Sequence, residues 1–128
     1  MKCKFIIGAV YLAAALSVQA EEPPKYDGWN LLTGSDQLYE YGKLGSGELV
    51  KGVRSFLIQL VPTPQNQNKS VVFMKFTISE HDCNIGYGLI KGYNLSGQLM
   101  NTYDYVKGGG NLATYAADML CSVEFNKQ

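Results

Sequence analysis

Residues 78–97 read ISEHDCNIGYGLIKGYNLSG. Glu80-His81-Asp82 reads as a charged bend leading into Cys83. Ile85 to Asn94 then alternates as a strand. Gly86, Gly88 and Gly92 fall on its even face with Ile90; Ile85, Tyr87, Leu89, Lys91 and Tyr93 fall on the odd face. Glycines weaken a strand and mark a bend or a close neighbour, so a helix could rest on the even face. Asn94-Leu95-Ser96-Gly97 is a tight hairpin turn, and Gln98 to Lys107 is the returning strand, with Leu99, Tyr103 and Tyr105 on one face. Upstream, Val71 to Ser79 (VVFMKFTIS) places Val72, Met74, Phe76 and Ile78 on one side and a mixed set on the other. That pattern belongs to an antiparallel sheet packed on one side and half-wet on the other.

Working outward, Pro62 to Ser70 (PTPQNQNKS) is a polar surface loop. Glu48 to Val61 contains a strong strand, with Phe56, Ile58 and Leu60 on one face and Arg54 and Gln59 hinting at solvent. Gln37 to Gly42 alternates. Trp29 to Thr33 reads as the first strand, with Trp29 a core or sheet-edge anchor. Residues 21–28, with Pro23 and Pro24, form a flexible N-terminal arm.

Downstream, Gly108-Gly109-Gly110 is a hinge and Asn111 can cap a helix. Leu112, Tyr115, Ala116, Met119, Leu120 and Val123 follow at helical spacing. Cys121 lies roughly opposite that stripe, which predicts a helix from about Asn111 to Leu120 and a turn after it. Met119, Cys121, Val123 and Phe125 also alternate, so a terminal strand is the competing reading. The fold class is α+β, mainly β: an antiparallel sheet of about six strands with one C-terminal helix packed on it, in a single domain over residues 29–125.

The chain opens MKCKFIIGAVYLAAALSVQA. Lys2 and Lys4, an apolar run from Phe5 to Leu16 and a Val18-Gln19-Ala20 site read as a secretory signal peptide over residues 1–20. The run is too short to span a bilayer. Cys3 leaves with the leader and precedes its apolar run, so no lipid anchor is expected. The mature chain is expected in the periplasm or at the cell surface. The whole chain carries 11 basic and 11 acidic side chains. Losing Lys2 and Lys4 leaves a net charge of about −2, with no basic stripe for nucleic acid. Cys83 and Cys121 remain, and two cysteines in an exported chain favour a disulfide. Free thiols or an intermolecular bridge are the alternatives. An intrachain bond would close a loop of about 38 residues, worth about 3–4 kcal/mol in the chain-entropy model.

The layout of a leader, Trp29, a meander of strands, Glu80-His81-Asp82-Cys83, a hairpin at Gly97, a Gly-rich link, a short helix and Cys121 resembles the bacterial surface-adhesin E family. The resemblance covers about Tyr26 to Val123. It implies an antiparallel sheet with a C-terminal helix joined to it by a disulfide. It also implies a non-enzymatic role in contacting host matrix or envelope proteins. The chain differs from the family pattern in having Tyr103 and Tyr105 where a Trp is common, and Gly108-Gly109-Gly110 where Pro-Gly is common.

The residues offer little chemistry. His81 is the only histidine. Three consecutive residues in an extended stretch cannot all face one ion, so Glu80-His81-Asp82 reads as a solvated bend rather than a metal site. There is no GxSxG and no phosphate loop. No enzyme activity, metal or cofactor is expected. Tyr87, Lys91, Tyr93, Tyr103 and Tyr105 lie on neighbouring strands. If both odd faces look outward, these residues make a protein-binding surface, since tyrosine combines apolar contact with a hydroxyl at low entropy cost. The other reading is cross-strand packing beneath the helix. The expected partner is a protein. A periplasmic inhibitor or immunity protein, using the Pro62–Ser70 loop, is the alternative function.

Overall fold

The computed structural model describes residues 22–125, so the leader reading lies outside the described residues. Seven strands form one antiparallel sheet: β1 (Trp29–Gly34), β2 (Leu38–Lys43), β3 (Glu48–Val50), β4 (Val53–Pro62), β5 (Val72–Ser79), β6 (Tyr87–Tyr93) and β7 (Leu99–Val106). Their order is β1-β2-β4-β5-β6-β7, with β3 paired to β4. Among the described residues two helices accompany the sheet, α1 (Glu80–Ile85) and α2 (Leu112–Ser122). Cys83 of α1 is bonded to Cys121 of α2, with Cα atoms 5.5 Å apart. The mainly-β layout, the C-terminal helix and the disulfide match the sequence reading. Two elements were not anticipated.

The first is β3. Glu48–Val61 divides at Lys51-Gly52, both at positive φ (51° and 79°). Val50 pairs with Val53 across them. Two residues at positive φ are what a tight hairpin with the twist of its strands requires. The second is α1. The expected bend at Glu80-His81-Asp82 is a helix. Ser79 caps its start, accepting from the Asp82 N–H at 3.0 Å, and Gly86 ends it in the left-handed region. Side-chain capping and a left-handed terminal glycine offset the poor intrinsic stability of so short a helix.

One side of the sheet carries the core. Ile58, Met74, Phe76, Ile78, Ile90 and Tyr105 are buried beneath α2. The expected α2 stripe of Leu112, Tyr115, Ala116, Met119, Leu120 and Val123 is rotated. The buried positions are Ala113, Thr114, Ala116, Ala117 and Leu120, while Tyr115 and Met119 are exposed. The seam is made of small side chains, which let the helix approach the sheet closely. The rotation also removes the phase conflict at Cys121. Cys121 follows Ala117 by one turn, so it points toward α1 without ending the helix, which runs on through Ser122 and excludes a terminal strand.

Arg54 joins both helices to β4 and is not the solvent marker it was read as. Its guanidinium pairs with Glu80 at the start of α1. It also donates to the Leu120 carbonyl at 3.0 Å and to that of Val123, and lies 5.0 Å from the Phe125 ring. These carbonyls are among those a helix leaves unsatisfied at its C-terminus. Gln59 is also buried rather than wet. Tyr41 seals that end of the opposite face. Its hydroxyl donates to the Pro24 carbonyl at 2.6 Å, and its ring meets Tyr26 edge-on at 5.1 Å.

Candidate functional site

The glycines of β6 do not form a seat for the C-terminal helix. A Cβ on Gly88 would stand 2.0 Å from Asp82 Oδ2, because the Asp82 carboxylate crosses that strand to accept the Leu89 N–H at 3.1 Å. A Cβ on Gly92 would press on Met74 Sδ at 3.2 Å and on the Phe76 ring. The even face of β6 is therefore turned inward, against α1 and the β5 core. Its odd residues Tyr87, Leu89, Lys91 and Tyr93 stand on the other side.

Strand register then divides the expected tyrosine surface. Gly88 is paired with Tyr105 and Ile90 with Tyr103. Directly opposite residues share a face, so Tyr103 and Tyr105 point into the covered side and do not join Tyr87, Lys91 and Tyr93. The Tyr103 ring packs tilted against Phe76, with centroids 5.8 Å apart. The Tyr105 hydroxyl donates to Asp118 Oδ1 at 2.7 Å, and Oδ2 of the same carboxylate accepts from the Gly108 N–H. Burial first, and then the bond to Asp118, push the Tyr105 hydroxyl up to about 12. Cross-strand packing beneath the helix is the correct reading for these two.

The open face gains residues from β4 and β5 instead. Across the sheet, Leu57, Lys75 and Tyr93 form one row, and Ser55, Thr77, Lys91 and Thr102 form the next. Leu57, Lys75, Thr77, Tyr93, Asn94, Leu95 and Gly97 line a cleft of about 390 Å³. The hairpin holds Leu95 at its rim. Asn94 Oδ1 accepts from the Ser96 and Gln98 N–H groups, and its Nδ2 donates to Gln98. This bonding fixes a turn whose Leu95 is 66% exposed. Tyr87 and Leu89 are exposed further along β6.

Among the described residues neither Lys75 nor Lys91 forms an ion pair, although Glu48 lines a neighbouring hollow with Leu57 and Lys75. Two ammonium groups set among Leu57, Tyr93 and Leu95 suit a segment that carries both carboxylate and apolar side chains. Lys75, Leu57 and Leu95 escaped the sequence reading. The usable signal was Lys75 itself, a lysine in the middle of the apolar VVFMKFTIS strand.

The covered face holds the strongest titration anomaly. Glu40 is 1% exposed, and neither carboxyl oxygen has a hydrogen-bond partner. Burial raises its pKa from 4.5 to about 8. A carboxyl so enclosed ties the stability of the fold to pH. No family model, curated protein or solved structure matches this chain.

Proposed function

We propose that this chain is an exported, non-enzymatic protein-binding domain of the surface-adhesin E type, contacting a host matrix or envelope protein through the open face of its sheet. The observation that carries this reading is the pair of unmatched ammonium groups, Lys75 and Lys91, beside the cleft of Leu57, Tyr93 and Leu95. An acidic segment bearing an aromatic or aliphatic anchor fits that chemistry. The anchor fills the cleft, where central desolvated contacts dominate affinity, while the lysines steer approach and register. The test is binding of the folded mature chain to purified matrix proteins and to envelope extracts. Tyr93→Ala combined with Lys75→Glu abolishes capture in this account, whereas Tyr105→Phe, on the other face, leaves it intact. Capture that survives the first variant, or no capture from either source, contradicts it.

The second reading, an inhibitor or immunity protein, draws on the 62–70 loop. That segment is exposed yet internally tied: Asn66 Oδ1 accepts from the Asn68 N–H, Asn68 Oδ1 from the Ser70 N–H, and Lys69 donates to the Pro64 carbonyl. Asn66 and Thr63 anchor it to the 36–37 backbone. A preorganised exposed loop loses little entropy on entering a cleft. An assay of lytic enzymes with and without the Asn66→Ala, Asn68→Ala variant distinguishes the two readings: loss of inhibition supports this one, and absence of inhibition by the wild type removes it.

A further inference from the structure

The two edges of the sheet are finished differently. β1 is six residues long and carries a register shift between Leu31 and Thr33. Its first residue is tied back to Tyr26 through the Trp29 N–H, and the Trp29 ring is held by Phe73 and Lys43. β7 is eight residues long, with sequence LMNTYDYV and no lysine or proline. Its irregularity is confined to its start, opposite Gly92 and Tyr93. Among the described residues nothing pairs with its outer side. Exposed edges are ordinarily blunted by charged residues, proline, bulges or cover; from Asn101 onward β7 has one such device, the exposed Asp104.

The phase of the β6–β7 ladder identifies the free groups. The Lys107 N–H donates to the Gly86 carbonyl, in line with the register that pairs Val106 with Tyr87. Bonded and non-bonded pairs alternate in an antiparallel ladder. Asn101, Tyr103 and Tyr105 therefore bond inward, and Thr102 and Asp104 direct their N–H and C=O groups outward.

We propose that β7 is a self-association edge, pairing antiparallel with β7 of a second copy about a two-fold axis through Tyr103. This proposal does not depend on the docking reading. In that register Thr102 stands opposite Asp104 of the second copy, and the two residues exchange both backbone bonds. Val106, 58% exposed in the single chain, falls opposite the irregular Leu99–Met100 start of the second strand. Charge is complementary too: the unmatched Lys91 lies beside Thr102, in line with Asp104 of the second copy. Moving the axis by one residue would set Asp104 against itself and oppose like charges. The axis is perpendicular to the sheet, so both open faces point the same way and form one continuous surface. A partner with repeated epitopes would be held by both copies at once.

Strand pairing of this length falls at the small end of stable interfaces, about 1,000 Å² or less, so association is expected to be concentration-dependent. Sedimentation velocity of the oxidised mature chain, from about 5 to 500 μM to span a weak interface of this kind, should shift from one copy to two. Thr102→Pro removes an N–H that the single chain does not use and is tolerated at an edge; it should hold the chain at one copy across the range. Asp104→Lys, whose side chain is exposed, should do the same by setting lysine near Lys91, and it serves if Thr102→Pro fails a circular-dichroism check of folding. A wild type that stays at one copy throughout overturns the proposal. So does a dimer that persists in a folded variant, since it would use another surface.

Discussion

The two faces of the sheet solve different problems. On the side under α2, polar groups are drawn into fixed pairs: Arg54 with Glu80 and the end of α2, Tyr105 with Asp118, Asp82 with the Leu89 N–H. On the open side, Lys75 and Lys91 stand unpaired among exposed Tyr87, Leu89 and Leu95. The contrast separates residues whose polar groups are tied into the fold from residues whose charges and apolar surface are left exposed. Glu40 is the exception that sharpens it. It is a buried acid on the covered side, beside Leu60 in the ladder, without the pairing that Arg54 enjoys.

That exception carries the largest expected effect. Because the folded-state pKa of Glu40 is raised from 4.5 to about 8, the folded chain binds the proton more tightly than the unfolded chain. Its stabilising contribution is complete below pH 4.5 and is lost as the pH rises through about 8. The slope reaches about 1.4 kcal/mol per pH unit, several kcal/mol in all. Urea unfolding at a series of pH values should show this decline, and Glu40→Gln should flatten it. A decline unchanged in the variant would assign it to other groups.

Removing the staple comes next. Cys83→Ser with Cys121→Ser releases the loop between α1 and α2 and should cost about 3–4 kcal/mol by the same denaturant measurement. Arg54→Ala leaves Glu80 and the terminal carbonyls of α2 without their guanidinium and should cost about 3 kcal/mol. Gly88→Ala forces a methyl group into the Asp82 carboxylate and should cost about 2 kcal/mol; Asp82→Ala in the same chain should recover part of the loss. A neutral Gly88→Ala would mean that the carboxylate moves aside freely.

Much of the covered face was legible because it obeys simple periods. Val72, Met74, Phe76 and Ile78 alternate cleanly, and the inward face of β6 follows from its glycines. Two kinds of information were not in those periods. Register depends on bulges as well as on turns: beside the Asn94–Gly97 turn Tyr93 pairs with Leu99, and the irregularity between Gly92 and Tyr93 then sets even residues of β6 against odd residues of β7. A reading that matched odd with odd therefore put Tyr103 and Tyr105 on the wrong side. The α2 seam depends on closeness of approach, which favours Ala113, Ala116 and Ala117 over the more hydrophobic Tyr115 and Met119. α1 is too short for periodicity, but Ser79 and Gly86 were readable as its caps. Lys75 was visible as an interruption of an apolar strand; that it and Lys91 form no ion pair among the described residues needed the sheet to be assembled.

The smallest expected stability effect bears most directly on function. Tyr93→Ala with Lys75→Glu should change unfolding free energy only slightly, by about 1 kcal/mol or less for substitutions on a solvent-facing surface. Measured on the same preparations by surface plasmon resonance, capture of the matrix or envelope protein bound by the wild type should be lost. A folded variant that binds as the wild type does would contradict the assignment of the open face as the docking surface.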